Sequence, residues 1–223
     1  MSVNEYISRD EVEHISIVNA LFAIQNKNTA GESGVYLWKA SLLFDLGMIE
    51  LLGWFLGGGR LAILERDGEK DPLRLLKTIA NQRITHINFV PAMFKVFVEV
   101  LNHEHVSQLS SLEYIILAGE TLLPEWVNRI REIRPQVRLE HLYGSAEATV
   151  YASRHPLPEG GGIEDIPMGK PLRNVKLYIL DRRDRLQPVG IPGELCIAGA
   201  GAARGYLNHP EFRQKLHLAA KYF

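Results

Sequence analysis

The chain has 223 residues, of which 46% are hydrophobic and 23% charged, values typical of a globular protein with one large domain or one and a half smaller ones. Its 25 Lys and Arg against 26 Asp and Glu give a net charge of −1, so we expect neither a nucleic-acid partner nor a membrane partner. The single cysteine, Cys196, excludes an internal disulfide framework, and no Cys/His cluster has metal-ligand spacing. Because no signal core or membrane-spanning run is visible, we expect a cytoplasmic protein.

Short apolar strands alternate with amphipathic helices along the first two thirds of the chain. Helices are predicted at 14–24, 46–56, 71–82, 91–101 and 124–134, and strands at 35–43, 61–64, 85–90, 114–117 and 137–143. This alternation predicts an α/β fold with a flavodoxin-like parallel sheet, right-handed crossovers and helices on both faces.

The pattern changes after Pro156, where glycines and prolines break the chain. Strands are then predicted at 175–180 and 194–198, joined by a turn-rich segment without helical periodicity. We therefore predict three regions. They are an N-terminal segment and helix at 1–34, an α/β subdomain at 35–155, and a small antiparallel β unit at 156–223.

Four stretches carry residues suited to binding or catalysis, and three of them follow predicted parallel strands. Phe44-Asp45 places a carboxylate near a helix start, Ala118 to Thr121 is a Gly-broken turn, and Tyr143 to Glu147 supplies a phenol, a hydroxyl and a carboxylate. The fourth is the Gly-rich stretch from Gly193 to Leu207. A capping Asp and ordinary βα loops remain alternative explanations of the first three. Their convergence on one edge of a sheet favours a ligand-binding crevice.

The Gly-rich stretch, Gly-Glu-Leu-Cys-Ile-Ala-Gly-Ala-Gly-Ala-Ala-Arg-Gly-Tyr-Leu, closely resembles a core motif of the amino-acid adenylation domains of non-ribosomal peptide synthetases. Residues 169–181, Phe44-Asp45 and the Tyr143 turn resemble further motifs of that family in the same order, so the resemblance covers roughly residues 12 to 216. It implies an adenylate-forming ligase that converts ATP and an amino acid into an aminoacyl-adenylate and pyrophosphate. The aminoacyl group would then pass to the thiol of a peptidyl carrier protein.

The resemblance also implies roles for individual residues. ATP would contact Gly119, Glu120, Thr121, Tyr143, Gly144, Ser145 and Ala146, and Glu147 would help to hold Mg²⁺. Asp45 would pair with the α-ammonium group of the substrate, because a buried charge requires a partner. This role favours an α-amino acid over a fatty or aryl acid.

The resemblance places eight further residues around the substrate side chain. They are mostly apolar, with Asn88 and Tyr151 as the polar exceptions, and comprise Leu46, Ile49, Asn88, Ile116, Ala118, Leu142, Val150 and Tyr151. Because the set offers no cation or second carboxylate, it predicts a small or medium, uncharged amino acid.

Two departures from the family pattern bear on activity. Ala146 stands where the family has a phosphate-contacting Thr, and Ser145 replaces a Pro. In addition, the chain contains no counterpart of the family's Gly-rich phosphate loop or of its C-terminal catalytic Lys, since Gly57 to Gly59 is read as a helix stop. We therefore expect an internal fragment of a larger enzyme, inactive alone, which needs the remaining adenylation subdomains. Apolar surface exposed without them would favour self-association.

Two alternatives remain open from the sequence. One is a non-catalytic relative that binds a ligand or acts as a scaffold, which the Ala146 substitution favours. The other is an unrelated doubly wound module, such as a flavin or mononucleotide carrier.

Overall fold

The computed structural model describes residues 10–25, 34–160 and 162–208, together with the backbone of residues 220–221. The helices are α1 (His14–Ile24), α2 (Asp45–Gly57), α3 (Pro72–Gln82), α4 (Pro91–Val100) and α5 (Pro124–Ile133). The large sheet contains β1 (Val35–Trp38), β2 (Arg60–Ile63), β3 (His86–Phe89), β4 (Tyr114–Ala118), β5 (Arg138–Tyr143), β6 (Ser153–Pro156) and β7 (Lys170–Pro171). A smaller sheet contains β8 (Val175–Leu180), β9 (Glu194–Gly199) and β10 (Ala220–Lys221).

The large sheet has the order β2-β1-β3-β4-β5-β6-β7, with five parallel strands followed by two antiparallel ones. Its parallel part has the flavodoxin-like order, which confirms the predicted fold class. Helices α3, α4 and α5 pack on one face of the sheet, and α1 and α2 pack on the other. Strand β2 lies on one side of β1, and β3 and the later strands lie on its other side. Ligands bind at this switch point between β1 and β3 in folds of this type.

Local sequence accounts for several element boundaries. Asp71 begins α3 by accepting hydrogen bonds from the backbone N–H groups of Leu73 and Arg74, with Pro72 at the first helical position. Helix α2 ends at Gly57 and is capped by Gly58, whose φ of 74° lies in the left-handed region that glycine adopts without strain. All five residues of β4 are buried, because helices cover both faces of this central strand.

The prediction of a strand over residues 35–43 is wrong beyond Trp38. The backbone N–H groups of Lys39 and Ala40 donate to the Glu50 carboxylate at 2.8 and 2.7 Å. A side chain from α2 therefore replaces the neighbouring strand as the hydrogen-bonding partner, and the chain leaves the sheet early.

The small antiparallel unit predicted near the C-terminus is confirmed by β8 and β9, which pair along their whole length. The large sheet nevertheless continues past residue 155, because β7 pairs with β6, and Ile163 and Ile166 pack against the α3–α5 core. The predicted regions 35–155 and 156–223 are therefore joined through one sheet, and the boundary between them stays a prediction. Of the predicted region 1–34, residues 1–9 and 26–33 lie outside the described residues.

Two features predicted from composition can be placed in the structure. The single cysteine, Cys196, is a buried, unbridged residue of β9. None of the helices within the described ranges is both long and apolar enough to cross a bilayer.

Candidate active site

Two of the predicted ligand-binding turns leave the sheet side by side. Ala118 pairs with Leu142 at the carboxyl edge, so that adjacent loops start at Gly119 and, after Tyr143, at Gly144. Gly119 has a φ of 102°, which an L side chain rarely adopts. The two turns therefore form one wall of a crevice at this edge of the sheet.

The second turn folds back sharply on itself. A Cβ atom at Gly144 would lie only 2.2 Å from the carbonyl oxygen of Val150, so only glycine fits this position. Residues Ala146–Ala148 form a 3-10 turn, and Thr149 and Val150 follow with φ values of 54° and 70°. A positive φ is costly for β-branched residues, and such strain is concentrated at functional sites.

The Gly-rich stretch holds this turn in place. The Thr149 hydroxyl donates to the carbonyl oxygen of Gly201 at 2.6 Å, and the Ala203 N–H donates to the Glu147 carbonyl oxygen at 2.8 Å. The Tyr206 hydroxyl donates to Glu147 Oε1 at 2.5 Å. Two motifs that lie more than fifty residues apart in sequence thus form one unit around Glu147.

Three carboxylates influence one another at this edge. Burial raises the pKa of half-buried Asp45, and the nearby Glu147 raises it further. Burial, again reinforced by Glu147, raises the pKa of Asp10 to about 6. Burial alone would also raise the pKa of Glu147, but hydrogen bonds from the Tyr206 hydroxyl and the Glu147 backbone hold it below its usual value. Negative charge is therefore concentrated here, and a cationic group is the complementary ligand.

Asp45 does not serve as the cap of α2. It is the first helical residue, and Phe44 occupies the cap position. The Asp45 carboxylate accepts a hydrogen bond from the adjacent N–H of Leu46 at 2.7 Å, which is not the bond of a helix cap. The capping explanation that the sequence left open is therefore wrong, and this carboxylate is not committed to the helix start.

A cavity of about 60 Å³ lies between α1, α2 and the sheet, and Ile49, one helical turn beyond Asp45, lines it. Of the predicted pocket residues, Ile49, Asn88 and Ile116 line it directly. The other predicted pocket residues belong to the surrounding apolar cluster and are Leu46, Ala118, Leu142, Val150 and Tyr151. The structure thus brings all eight predicted pocket residues into one region.

Glu120 and Thr121 lie at the crevice but play unequal parts in the structure. The Glu120 carboxylate accepts a hydrogen bond from the Ala92 N–H at 3.1 Å and so stabilises the first turn of α4. Thr121 is exposed to solvent. Nucleotide contacts by these two residues stay a prediction.

Sequence reasoning missed several polar residues around the cavity. Glu50 is only 4% exposed and makes an ion pair with Lys39 at 3.3 Å, while His86 and Tyr36 line the cavity wall. His86 lies two residues before Asn88 on β3, so the two-residue period of a strand would have placed both on the same face. Glu50 carries no comparable signal, because a charged residue within an apolar helix gives no indication of its partner.

Comparison with known proteins identifies relatives over nearly the whole chain. Residues 11–207 match the family model described as AMP-binding enzyme. One component of the linear gramicidin synthase of Brevibacillus parabrevis is 43% identical over 198 residues, which cover 89% of this chain and 4% of that protein. One component of the plipastatin synthase of Bacillus subtilis (strain 168) is 38% identical over 214 residues, covering 96% of this chain and 6% of that protein. The chain thus spans less than a tenth of either relative.

Solved structures share the fold. The nonribosomal peptide synthetase FmoA3 (S1046A) aligns with a TM-score of 0.82 and 25% identity, over 92% of this chain and 22% of that one. An artificially fused adenylation-PCP di-domain from Klebsiella oxytoca aligns with a TM-score of 0.76 and 23% identity, over 93% of this chain and 38% of that one.

These matches, together with the fold and the acidic crevice, place the chain among the adenylate-forming enzymes. It belongs to the AMP-binding enzyme family, and its resemblance to the adenylation domains of non-ribosomal peptide synthetases is confirmed. The alternative of an unrelated flavin or mononucleotide carrier is wrong.

Proposed function

We propose that this chain forms the amino-acid and nucleotide site of an adenylating enzyme, which converts an amino acid and ATP into an aminoacyl-adenylate and pyrophosphate. One observation carries the proposal: the half-buried Asp45 carboxylate caps no helix and lies close enough to Glu147 for that charge to raise its pKa, while Leu46 and Ile49 on the same helix belong to the apolar cluster. An α-amino acid matches this arrangement, because its ammonium group meets Asp45 while its side chain enters the pocket.

The proposed reaction requires positioning more than covalent chemistry. An oxygen of the substrate carboxylate attacks the α-phosphorus of ATP, the bond from that phosphorus to the bridging oxygen of pyrophosphate breaks, and pyrophosphate leaves. Asp45 would hold the amino acid so that its carboxylate points to the crevice, and Tyr143 would support the adenine ring. Fixing two reactants in this way removes much of the entropic barrier.

Glu147 fits the role of a magnesium ligand. Its lowered pKa keeps the carboxylate ionised, and Mg²⁺ prefers one or two carboxylates together with substrate phosphates. When bound, the ion would neutralise charge on the ATP phosphates. Among the residues that the structure describes, no three His, Cys, Asp or Glu side chains are grouped closely enough to form a metal site without such phosphates.

The proposal also covers the carrier-protein partner, the cellular location and the remaining parts of the enzyme. We propose a cytoplasmic enzyme that passes the aminoacyl group to a peptidyl carrier protein, as the relationship to peptide synthetases suggests. The 223 residues contain no counterpart of the family's phosphate loop and catalytic Lys, so this chain alone should bind its ligands but turn over poorly.

Amino-acid-dependent exchange of pyrophosphate into ATP tests the proposal, in a protein that joins this chain to the missing subdomains. Asp45→Asn should lower the exchange by about 100-fold or more, because the buried ammonium group loses its charged partner. Asp71→Asn is the matched control, since it changes an Asp at another helix start. Exchange that ignores added amino acids would refute the assignment.

A non-catalytic binding module is the second candidate, because Ala146 lacks the hydroxyl that the family places against the α-phosphate. The Ser145 hydroxyl lies beside Glu147. If this second candidate is correct, calorimetric titration with ATP and Mg²⁺ should give heat, while the joined protein releases no pyrophosphate with any amino acid.

A further inference from the structure

The cavity lined by Ile49, Asn88 and Ile116 extends beyond the residues that the family resemblance assigns to the substrate pocket. Asp45, Ile49 and Gly53 lie at four-residue intervals on α2, so they share one face of the helix and are about 6 Å apart per step. Ile49 and Gly53 both line the cavity. The side chain of a substrate whose ammonium group is held at Asp45 would therefore pass Ile49 and reach the level of Gly53.

His86 forms part of the wall at this deeper level. It lies on β3 roughly 6.6 Å from Asn88 along the strand, and both residues line the cavity. The imidazole is 7% exposed and lies between two aromatic rings, stacked on Tyr36 at 4.4 Å and tilted against Tyr114 at 5.7 Å. Its position is therefore fixed by packing.

One nitrogen of this imidazole lacks a partner within the described ranges. Nδ1 lies 2.7 Å from the Thr85 hydroxyl, whereas Nε2 is buried without a hydrogen bond. A buried unpaired polar atom costs about 1–3 kcal/mol, so it is rare unless a ligand or water completes it. A ligand group in the cavity would remove this cost.

The contacts of the Thr85 hydroxyl favour one tautomer of His86. The Thr85 hydroxyl is 2.7 Å from Nδ1 and 3.1 Å from the carbonyl oxygen of Val35, which already accepts the Thr85 N–H at 2.9 Å. The shorter contact favours donation of the hydroxyl hydrogen to Nδ1. In this tautomer Nε2 carries a hydrogen and requires an acceptor.

Charge in the cavity favours an uncharged acceptor. Burial lowers the pKa of His86 to about 4, so the imidazole is neutral at pH 7. Glu50 also lines the cavity, and its carboxylate already binds Lys39 and two backbone N–H groups. A charged side chain of either sign would be buried without a free partner of opposite charge, because Glu50 and Lys39 already pair with each other.

We propose that this cavity is the distal end of the amino-acid pocket and that His86 Nε2 donates a hydrogen bond to the carbonyl oxygen of a substrate side-chain carboxamide. The inference rests on the proposed function. The Asn88 amide, on the same strand face, would complement the NH₂ group of that carboxamide. His86 is thus a specificity-determining residue, and the substrate class narrows from uncharged amino acids to those that end in an amide.

Calorimetry on this chain, with ATP and Mg²⁺ present, tests the idea using the twenty common amino acids and homoleucine. Glutamine and homoleucine form one pair of nearly equal shape, and asparagine and leucine form another. We expect the best ligand to carry a carboxamide and to bind roughly 10-fold to 100-fold more tightly than its apolar counterpart. His86→Phe, which keeps the ring stacking, should reduce this ratio to about one or below.

Two further variants separate a binding role from a structural one. His86→Gln places an N–H near the position of Nε2 and should restore part of the preference, whereas His155→Phe, a matched substitution on β6, should leave it unchanged. A best ligand without a terminal polar group, or an unaltered ratio in His86→Phe, would overturn the inference while leaving the proposed function intact. If no amino acid binds, both this inference and the proposed function are refuted.

Discussion

On the face of the sheet covered by α3, α4 and α5 the core is mainly apolar, with Arg131 of α5 as a buried charged residue, whereas on the face covered by α1 and α2 it surrounds a cavity and several buried polar side chains. Phe94, Phe97 and Ile79 on the first face are at most 1% exposed. On the second face, Glu50, His86 and Glu140 are buried as well. The first face therefore contributes mainly to stability, whereas the second is packed less completely because it surrounds a candidate site.

Glu140 belongs to a hydrogen-bonded network on the second face. Glu140 accepts hydrogen bonds from the Tyr114 hydroxyl and from Arg154, whose Nε lies 2.6 Å from Oε1. Arg154 also donates to the carbonyl oxygen of Ala23 at 3.1 Å and thereby anchors α1. Such a network is stable while all of its members are paired and costly when one is removed.

Arg154→Met should have the largest effect on stability. It leaves Glu140 buried without its cation, which we expect to lower the free energy of unfolding by about 3–5 kcal/mol in urea denaturation. Arg74→Met removes an exposed ion pair on α3 and should cost less than about 1 kcal/mol. Equal losses in the two variants would show that the network contributes no more than a surface contact.

Truncating isoleucine should have different effects on the two faces. Ile79→Ala removes a side chain that is 0% exposed in the closed core and should cost about 3–4 kcal/mol. Ile49→Ala should cost only about 2 kcal/mol, because its side chain already borders empty space. Thermal denaturation of both variants checks the difference, and a larger loss at Ile49 would contradict the contrast between the faces.

Two groups should give the stability opposite dependences on pH. The pKa of His86 is lowered from 6.5 to about 4 on folding. Its contribution to folding stability is therefore fully present above pH 6.5 and is lost as the pH falls towards 4. The pKa of Asp10 is raised from 3.8 to about 6, so its contribution is present below pH 3.8 and is lost as the pH rises through 6.

Melting temperatures between pH 4 and pH 7 test this expectation. We compare the melting temperature of each variant with that of wild type at the same pH. For His86→Phe this difference should be more favourable to the variant near pH 4 than near pH 7, whereas for Asp10→Asn it should be most favourable near pH 7. The opposite trend in either variant would show that its group is not perturbed in the expected direction.

The smallest effect concerns two aspartates at helix starts. Asp71→Ala removes a helix cap and should lower stability by about 1 kcal/mol. Asp45→Ala should lower it by less, because Asp45 is repelled by Glu147 and caps nothing. Urea denaturation measures both. A loss of about 1 kcal/mol at Asp45 would show that its carboxylate supports the helix rather than serving only a ligand.

Periodicity and stop signals predicted most of the fold correctly. Helix α1 and strand β8 agree with their predicted bounds, and Gly58 caps the end of α2 as the glycine run indicated. Errors occurred where a side chain took over a backbone partner, as Glu50 does at the end of β1. Sequence patterns record which residues are apolar, but they do not record which distant polar groups meet.

The candidate site was predictable to the extent that motifs mark turns and strand faces. The order of motifs located Asp45 and the turn from Tyr143, and the resemblance located the pocket. Neither reveals that His86 has an unpaired nitrogen or that Tyr206 binds Glu147, because both facts depend on three-dimensional contacts between separate segments.

The bonds from the Gly-rich stretch to the turn also limit how related chains can be recombined. Gly201, Ala203 and Tyr206 hold Thr149 and Glu147 from beyond the large sheet. If the amino-acid pocket is exchanged between two related proteins without this stretch, the Tyr143–Glu147 turn of one protein must bind the Gly-rich stretch of the other. The smallest transferable cassette therefore runs from the Asp45 loop through Tyr206, although the pocket residues themselves end at Tyr151.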